Sequence, residues 1–246
     1  MPIAQRRTGG TRRQPEWILA SASPRRSEIL HRLGIRFRVD PSRVPEPPRR
    51  PHETAHGYAV RLARFKAKEV ARRHSSALIL AADTIVVLGD RILAKPANRA
   101  EARSMLRQLS GRRHAVVSGI CLMDCATRRS RSTFSRSYVH FRRLSPGEIE
   151  WYLKTGEYRD KAGAYGVQGF ASLFIDRIEG CYFNIVGFPV AAFEKLCRKA
   201  GINLAGFLAA DMRGKRKIRV YQRASTTKYV TVRRGIRPSG PNSCSA

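Results

Sequence analysis

Acidic side chains are scarce in this sequence. Eighteen aspartates and glutamates stand against 48 lysines and arginines in 246 residues, a formal net charge of +30. So few carboxylates argue against a dedicated all-protein cage for a divalent cation. Long apolar runs are also missing. None approaches the roughly 20 residues of a membrane-spanning helix, so a soluble chain without membrane contact is expected. The N-terminal "MPIAQRRTGGTRRQ" is followed by too few apolar residues for a secretory signal. Five cysteines (Cys121, Cys125, Cys181, Cys197 and Cys244) include no CxxC pair, which excludes the usual zinc and dithiol redox sites. They read as reduced thiols in a cytoplasmic protein. The six histidines show no metal-ligand spacing, and no internal repeat is evident.

What is abundant is positive charge. Such an excess attracts polyanions of every kind, so its sign alone does not choose among nucleic acid, anionic membrane and phosphorylated small molecules. Arginine is spread along the whole chain. The local extremes are residues 1–15 and the stretch after Asp211, the last acidic residue. Residues 1–15 and 212–246 therefore read as basic extensions flanking a domain at 16–211, with "KIRVYQ" and "KYVTV" able to pair as a small hairpin.

Within the domain, strand and helix patterns alternate. "WILASASPRRSEILHRLG" predicts a strand from Trp17 to Ala20 and a helix with Ser23 at its N-cap, Pro24 at its first position and Gly34 as its stop. A helix N-terminus carries unpaired N–H groups and partial positive charge. Ser21, Ser23, Arg25 and Arg26 gathered there make a seat for phosphate. A proline-rich loop containing Glu46 follows through Gly57, then a helical pattern from Tyr58 to His74. "ALILAADTIVVLGDRILAKP" reads as two strands joined by a tight Gly89-Asp90 turn, with Asp83 and Lys95 opposite each other or one pair apart at the open end. Asn98 with Glu101, and Ser145 with Glu148, mark two helix starts. Strands are predicted over "HAVVSGICLMD", "TFSRSYVHFRRL" and "SLFIDRIEG", and a closing helix entered at Pro189. "DKAGAYGVQG" fits neither period and reads as a functional loop or a glycine-broken strand. The alternation implies an α/β domain, and the hairpin makes its sheet mixed.

Several segments together, "LASASPRRSEIL", "RLARFKA", "AADTIVV", "AKPANRAEARSMLRQLSGRRHAVVSG" and "DKAGAYGVQGFASLFIDRIEGCYFNIVGFP", resemble the Maf family of nucleoside triphosphate pyrophosphatases, in order, over about residues 17–202. The form of the late loop is similar to the branch acting on dTTP and UTP. The resemblance implies a Maf/ITPase-like α/β fold, a mixed twisted sheet flanked by helices around a central nucleotide-binding cleft. Where the family often has an Asp-Glu pair, this chain has Pro45-Glu46. Cys181 and Phe188 also depart from the family's usual residues.

Cleavage of a triphosphate to a monophosphate and pyrophosphate needs water at the α-phosphorus and charge stabilisation on the leaving group. Asp83, ending an apolar run, is suited to orient that water or hold a metal ion. Lys95 is suited to neutralise phosphate charge. Lys66 and Glu46 owe their candidacy to the resemblance alone, Glu46 as a substrate contact and, with Asp83, a metal ligand. Thr84 places a hydroxyl beside Asp83. Gln168, between two glycines, can meet a base edge or phosphate, or bond its own loop's backbone. Magnesium carried largely by the substrate is the expected cofactor. The expected partners are a nucleoside triphosphate, nucleic acid held nonspecifically by the basic extensions, and a second copy in a homodimer. The competing reading, a nucleic-acid-binding or division-associated regulator on the same fold, draws on charge alone.

Overall fold

A computed structural model describes residues 15–205. The N-terminal extension up to residue 14, the whole C-terminal extension with its proposed hairpin, and Cys244 lie outside these residues.

The first apolar run forms β1 (Glu16–Leu19), one residue earlier than the pattern suggested because Glu16 already pairs with Ala77. Pro24 opens α1 (Pro24–Arg32), and Gly34 follows at φ +72°. Ser23 occupies the N-cap position, yet its side chain makes no capping bond. The expected N-cap position is therefore observed, without a side-chain bond. The serine is held instead through its own N–H, which donates to Ser21 Oγ at 3.2 Å. After β2 (Arg38–Val39), α2 (Ala55–Ala71) begins three residues before the expected Tyr58. Thr54 Oγ1 accepts the N–H of Gly57 there, and without a glutamate at the third position the start lacks the capping-box signature that sequence reading relies on.

The predicted hairpin is β3 (Ala77–Leu88) and β4 (Arg91–Leu93), turning at Gly89 with φ +58°. Asn98 caps α3 (Arg99–Leu109) by accepting the N–H of Glu101 at 2.9 Å. Two long strands follow, β5 (Arg113–Asp124) and β6 (Ser130–Phe141), then α4 (Pro146–Thr155) with the complete Ser145/Glu148 capping box. The expected strand over "SLFIDRIEG" is only half strand. Phe170–Phe174 is a 3-10 turn, and β7 covers Ile175–Glu179. A five-residue helix, α5 (Tyr182–Val186), is too short to show a period in sequence, and α6 (Val190–Lys199) closes the fold with Pro189 as its N-cap.

The seven strands make one mixed sheet ordered β2-β1-β3-β5-β6-β7, with β4 paired to β3 off this path. β1 is parallel to β2 and β3, and the other pairs are antiparallel. Side chains alternate between faces along β3. Ile79 and Ala81 pack with Ala63, Ala67 and Val70 of α2, whereas Leu78, Leu80 and Ala82 pack with α1 and α6 through Ile29, Leu30, Phe193 and Leu196. Burying a side chain such as Leu80 completely contributes roughly 2 kcal/mol. On the first face Gly119 of β5 is compulsory. A Cβ there would lie 2.3 Å from the carbonyl carbon and oxygen of Ala59, so α2 rests directly on the strand. Gly119 is also the ladder partner of Asp83. The departures Phe188 and Cys181 are accommodated: Phe188 is fully buried against Phe193, and the Cys181 backbone exchanges hydrogen bonds with Ser137 Oγ. Among the described residues, no helix is long and apolar enough to cross a membrane.

Candidate active site

A cleft of ≈ 1110 Å³ opens between the N-terminus of α1, the middle of α2, the centre of β3 and the loop at 160–169. Its lining includes Ser21, Ser23, Arg25, Arg26, Glu46, Lys66, Asp83, Thr84, Lys95 and Gln168, every site residue singled out from the sequence. A second, smaller cavity of ≈ 520 Å³ beyond the N-terminus of α2 holds none of them.

Two charged groups meet on one side of the cleft. Asp83 is 6% exposed, and Lys66 Nζ donates to its Oδ1 at 2.6 Å. The same ammonium lies 2.6 Å from Glu46 Oε1, which ties the proline-rich loop to the middle of α2. On the other side Arg26, 9% exposed, is oriented by three bonds. Its Nε donates to the Gly187 carbonyl at 2.9 Å, Nη1 to Ser21 Oγ at 2.9 Å and Nη2 to Thr84 Oγ1 at 3.2 Å. Thr84 Oγ1 also lies 2.8 Å from Ser118 Oγ. Burial lowers the pKa of Arg26, and the charge of Asp83 across the cleft partly offsets that. Among the described residues Arg26 makes no ion pair. A buried cation held by neutral groups is electrostatically incomplete, and an anion supplies what it lacks.

The remaining candidates are looser. Arg25 Nε donates to the Val186 carbonyl at 3.3 Å. Gln168 is exposed and makes no hydrogen bond among the described residues, so its amide is not spent on its own loop. The β3–β4 ladder ends at Val86↔Leu93, leaving Lys95 past the last pair and exposed. Continued at the same register, Lys95 would oppose Thr84, one pair from Asp83; β4 stops at Leu93, and the Ala94 carbonyl accepts the N–H of Gly163 at 3.1 Å instead.

A model of the Maf-like protein family matches residues 16–200. The chain belongs to the Maf-like family. It is 44% identical over 193 residues to a dTTP/UTP pyrophosphatase of Caldicellulosiruptor saccharolyticus, covering 76% of this chain and 96% of that protein. It is 46% identical over 187 residues to a dTTP/UTP pyrophosphatase of Myxococcus xanthus, covering 76% and 93%. Among solved structures, a HAM1 protein from Coxiella burnetii aligns over 81% of this chain and 100% of its own, at 16% identity and a TM-score of 0.39.

The Maf-like cleft also contains groups that sequence reading passed over. Lys161 lines it, and its Nζ donates to the Glu157 carbonyl at 2.5 Å. Burial, reinforced by the nearby Arg25 charge, lowers the pKa of Lys161, while Glu157 and Asp160 oppose this. The signal was available, since Lys161 is the second residue of the loop singled out for its glycines. Ser118 and Gly187 were not legible. They act through contacts with Thr84 and Arg26 that join residues 34 and 161 positions apart.

Proposed function

We propose that this Maf-like protein hydrolyses dTTP and UTP to the nucleoside monophosphate and pyrophosphate. Relatives bearing that name at 44% and 46% identity support the substrate class. The observation that carries the reading is Arg26, a buried guanidinium with its geometry fixed and no carboxylate partner among the described residues, facing a cleft that holds Asp83 on its other side.

In this reading Asp83 orients the attacking water and accepts its proton as the water oxygen bonds to the α-phosphorus. The bond from that phosphorus to the bridging oxygen breaks, and the oxygen leaves with pyrophosphate. Lys66 keeps Asp83 aimed through their 2.6 Å contact. Arg26, Arg25, Ser21, Ser23 and the first-turn N–H groups of α1 receive the charge of the phosphates. Lys95, at the cleft's rim, adds a mobile cation, and Gln168 faces the base. Thr84 holds the Arg26 fork.

Magnesium belongs to this proposal. Two carboxylate oxygens, from Asp83 and Glu46, already converge on one cationic point, the Lys66 ammonium, and this hard oxygen pair fits a cation that arrives with phosphate and water ligands. When bound, it would neutralise phosphate charge. Pro45, standing where relatives often have an acid, leaves that set at two. A cytoplasmic location, a homodimer and salt-sensitive nucleic-acid contact through the basic extensions complete the proposal.

Product analysis tests it. Incubation with dTTP is expected to release dTMP and pyrophosphate. Release of a diphosphate and inorganic phosphate would refute the bond assignment, and preference for a methylated guanosine triphosphate would refute the substrate assignment.

A further inference from the structure

The backbone just after the run Gly166-Val167-Gln168-Gly169 is held by one carboxylate. Glu157 stands just past the end of α4. Its Oε2 accepts the N–H of Phe170 at 2.7 Å, while its Oε1 accepts the phenol of Tyr152 at 3.1 Å and the N–H of Ala171 at 3.5 Å. Tyr152 is fully buried, so the carboxylate is anchored to the core on one side and grips the loop on the other. The grip is close. A Cβ on Gly169 would lie 2.0 Å from Glu157 Oε2 and 2.4 Å from its Cδ, and one on Gly166 would lie 2.7 Å from Lys161 Cε. The Gly169 backbone, at φ −114°, does not itself require glycine. Proximity to Glu157 is what excludes a side chain there.

We propose that Glu157 is a positioning residue for nucleotide recognition: it clamps the backbone around Gly169 and so aims Gln168 into the cleft. This rests on the reading of the cleft as a dTTP and UTP site in which Gln168 meets the base. Both Glu157 oxygens are spent on its own chain, and charge-assisted bonds to backbone N–H groups are among the stronger ones available. Its influence on substrate therefore passes through the loop. Because Asp83 and Lys66 lie on other elements, losing the clamp should weaken recognition far more than turnover.

The test measures kcat and KM for dTTP, UTP and dGTP, together with Tm, in the full chain and in Glu157→Ala, Glu157→Gln, Gly169→Ala and the Glu157→Ala/Gly169→Ala double variant. Glu157→Ala is expected to raise KM for dTTP about tenfold with kcat within about threefold, and to erode the preference for dTTP over dGTP. Gly169→Ala should give the same signature from the opposite side of the contact. The double variant should be no worse than either single one, because removing the carboxylate vacates the space the methyl needs. Glu157→Gln keeps one acceptor oxygen and should recover most of the KM. Multiplying effects in the double variant, a fall in kcat at constant KM, or wild-type KM in Gly169→Ala would each overturn the proposal. If Glu157→Ala does not fold, Gly169→Ala and Glu157→Gln decide by the same criteria. A full chain that releases no pyrophosphate from dTTP overturns the functional reading as well; an active chain with unaltered variants overturns the positioning role alone.

Discussion

Lys66 Nζ lies 2.6 Å from Asp83 Oδ1, and the two partners depend on each other unequally. Lys66 has Glu46 as a second partner, whereas among the described residues Asp83 has Lys66 alone. Removing one member of a buried pair is costly because a charge is left behind uncompensated, about 3 kcal/mol or more. Lys66→Met should therefore lower Tm substantially more than Asp83→Asn does, a comparison made by thermal melting of the two variants side by side.

Asp83→Asn separates chemistry from folding. The substitution keeps the shape and leaves Lys66 paired with Glu46. Loss of a positioned acid–base group should cut kcat by about 10² to 10⁴. Turnover within a few fold of wild type would mean that the water is activated elsewhere.

At Arg26 the opposite balance is expected. A buried cation without an ion pair among the described residues is held for function at the expense of stability, so Arg26→Met should leave Tm unchanged or raised while kcat/KM for dTTP falls by about a hundredfold. A variant that is both unstable and active would show the guanidinium to be a structural brace.

His114 predicts an acid limb in the stability profile. It is 2% exposed, bonded through Nε2 to Tyr165 at 2.8 Å, and burial holds its pKa down to about 4. Between pH 6.5 and 4 the unfolded chain takes up a proton that the native chain refuses. This group's contribution is complete above pH 6.5 and decays as pH falls through that window, by about 3 kcal/mol in all. Urea titrations at pH 4.5 and 7.5 should show a smaller difference in His114→Gln than in wild type.

Gly119→Ala should destabilise the fold by about 3 kcal/mol, the upper end for overpacking, because the added methyl meets the backbone of α2 rather than a side chain that can turn aside. Equilibrium denaturation measures it. A loss below 1 kcal/mol would mean that α2 slides readily over β5.

Much of this site could be read from order along the chain, because its parts sit where local patterns end. Asp83 closes an apolar run, Arg26 follows a Pro-opened helix start, and Gln168 lies between glycines; all three line one cleft. What escaped reading was set by tertiary contact. Residues 172–174 carried strand-like composition, but the grip of Glu157 on Phe170 and Ala171 shaped a 3-10 turn there. Gly187 carried no local mark of its role, since its carbonyl matters only once α1 lies beside it.

Asp83 and Thr84 are consecutive on β3, yet one meets Lys66 from α2 and the other meets Arg26 from α1. The strand thus serves as a common axle for two helices that pack on opposite faces of the sheet. A ligand that engages both cations becomes a strut between them, and the two halves of the core then lose the freedom to breathe independently. Amide exchange in α1 and α2 should accordingly slow by matching factors when a triphosphate binds, although the helices share no side-chain layer.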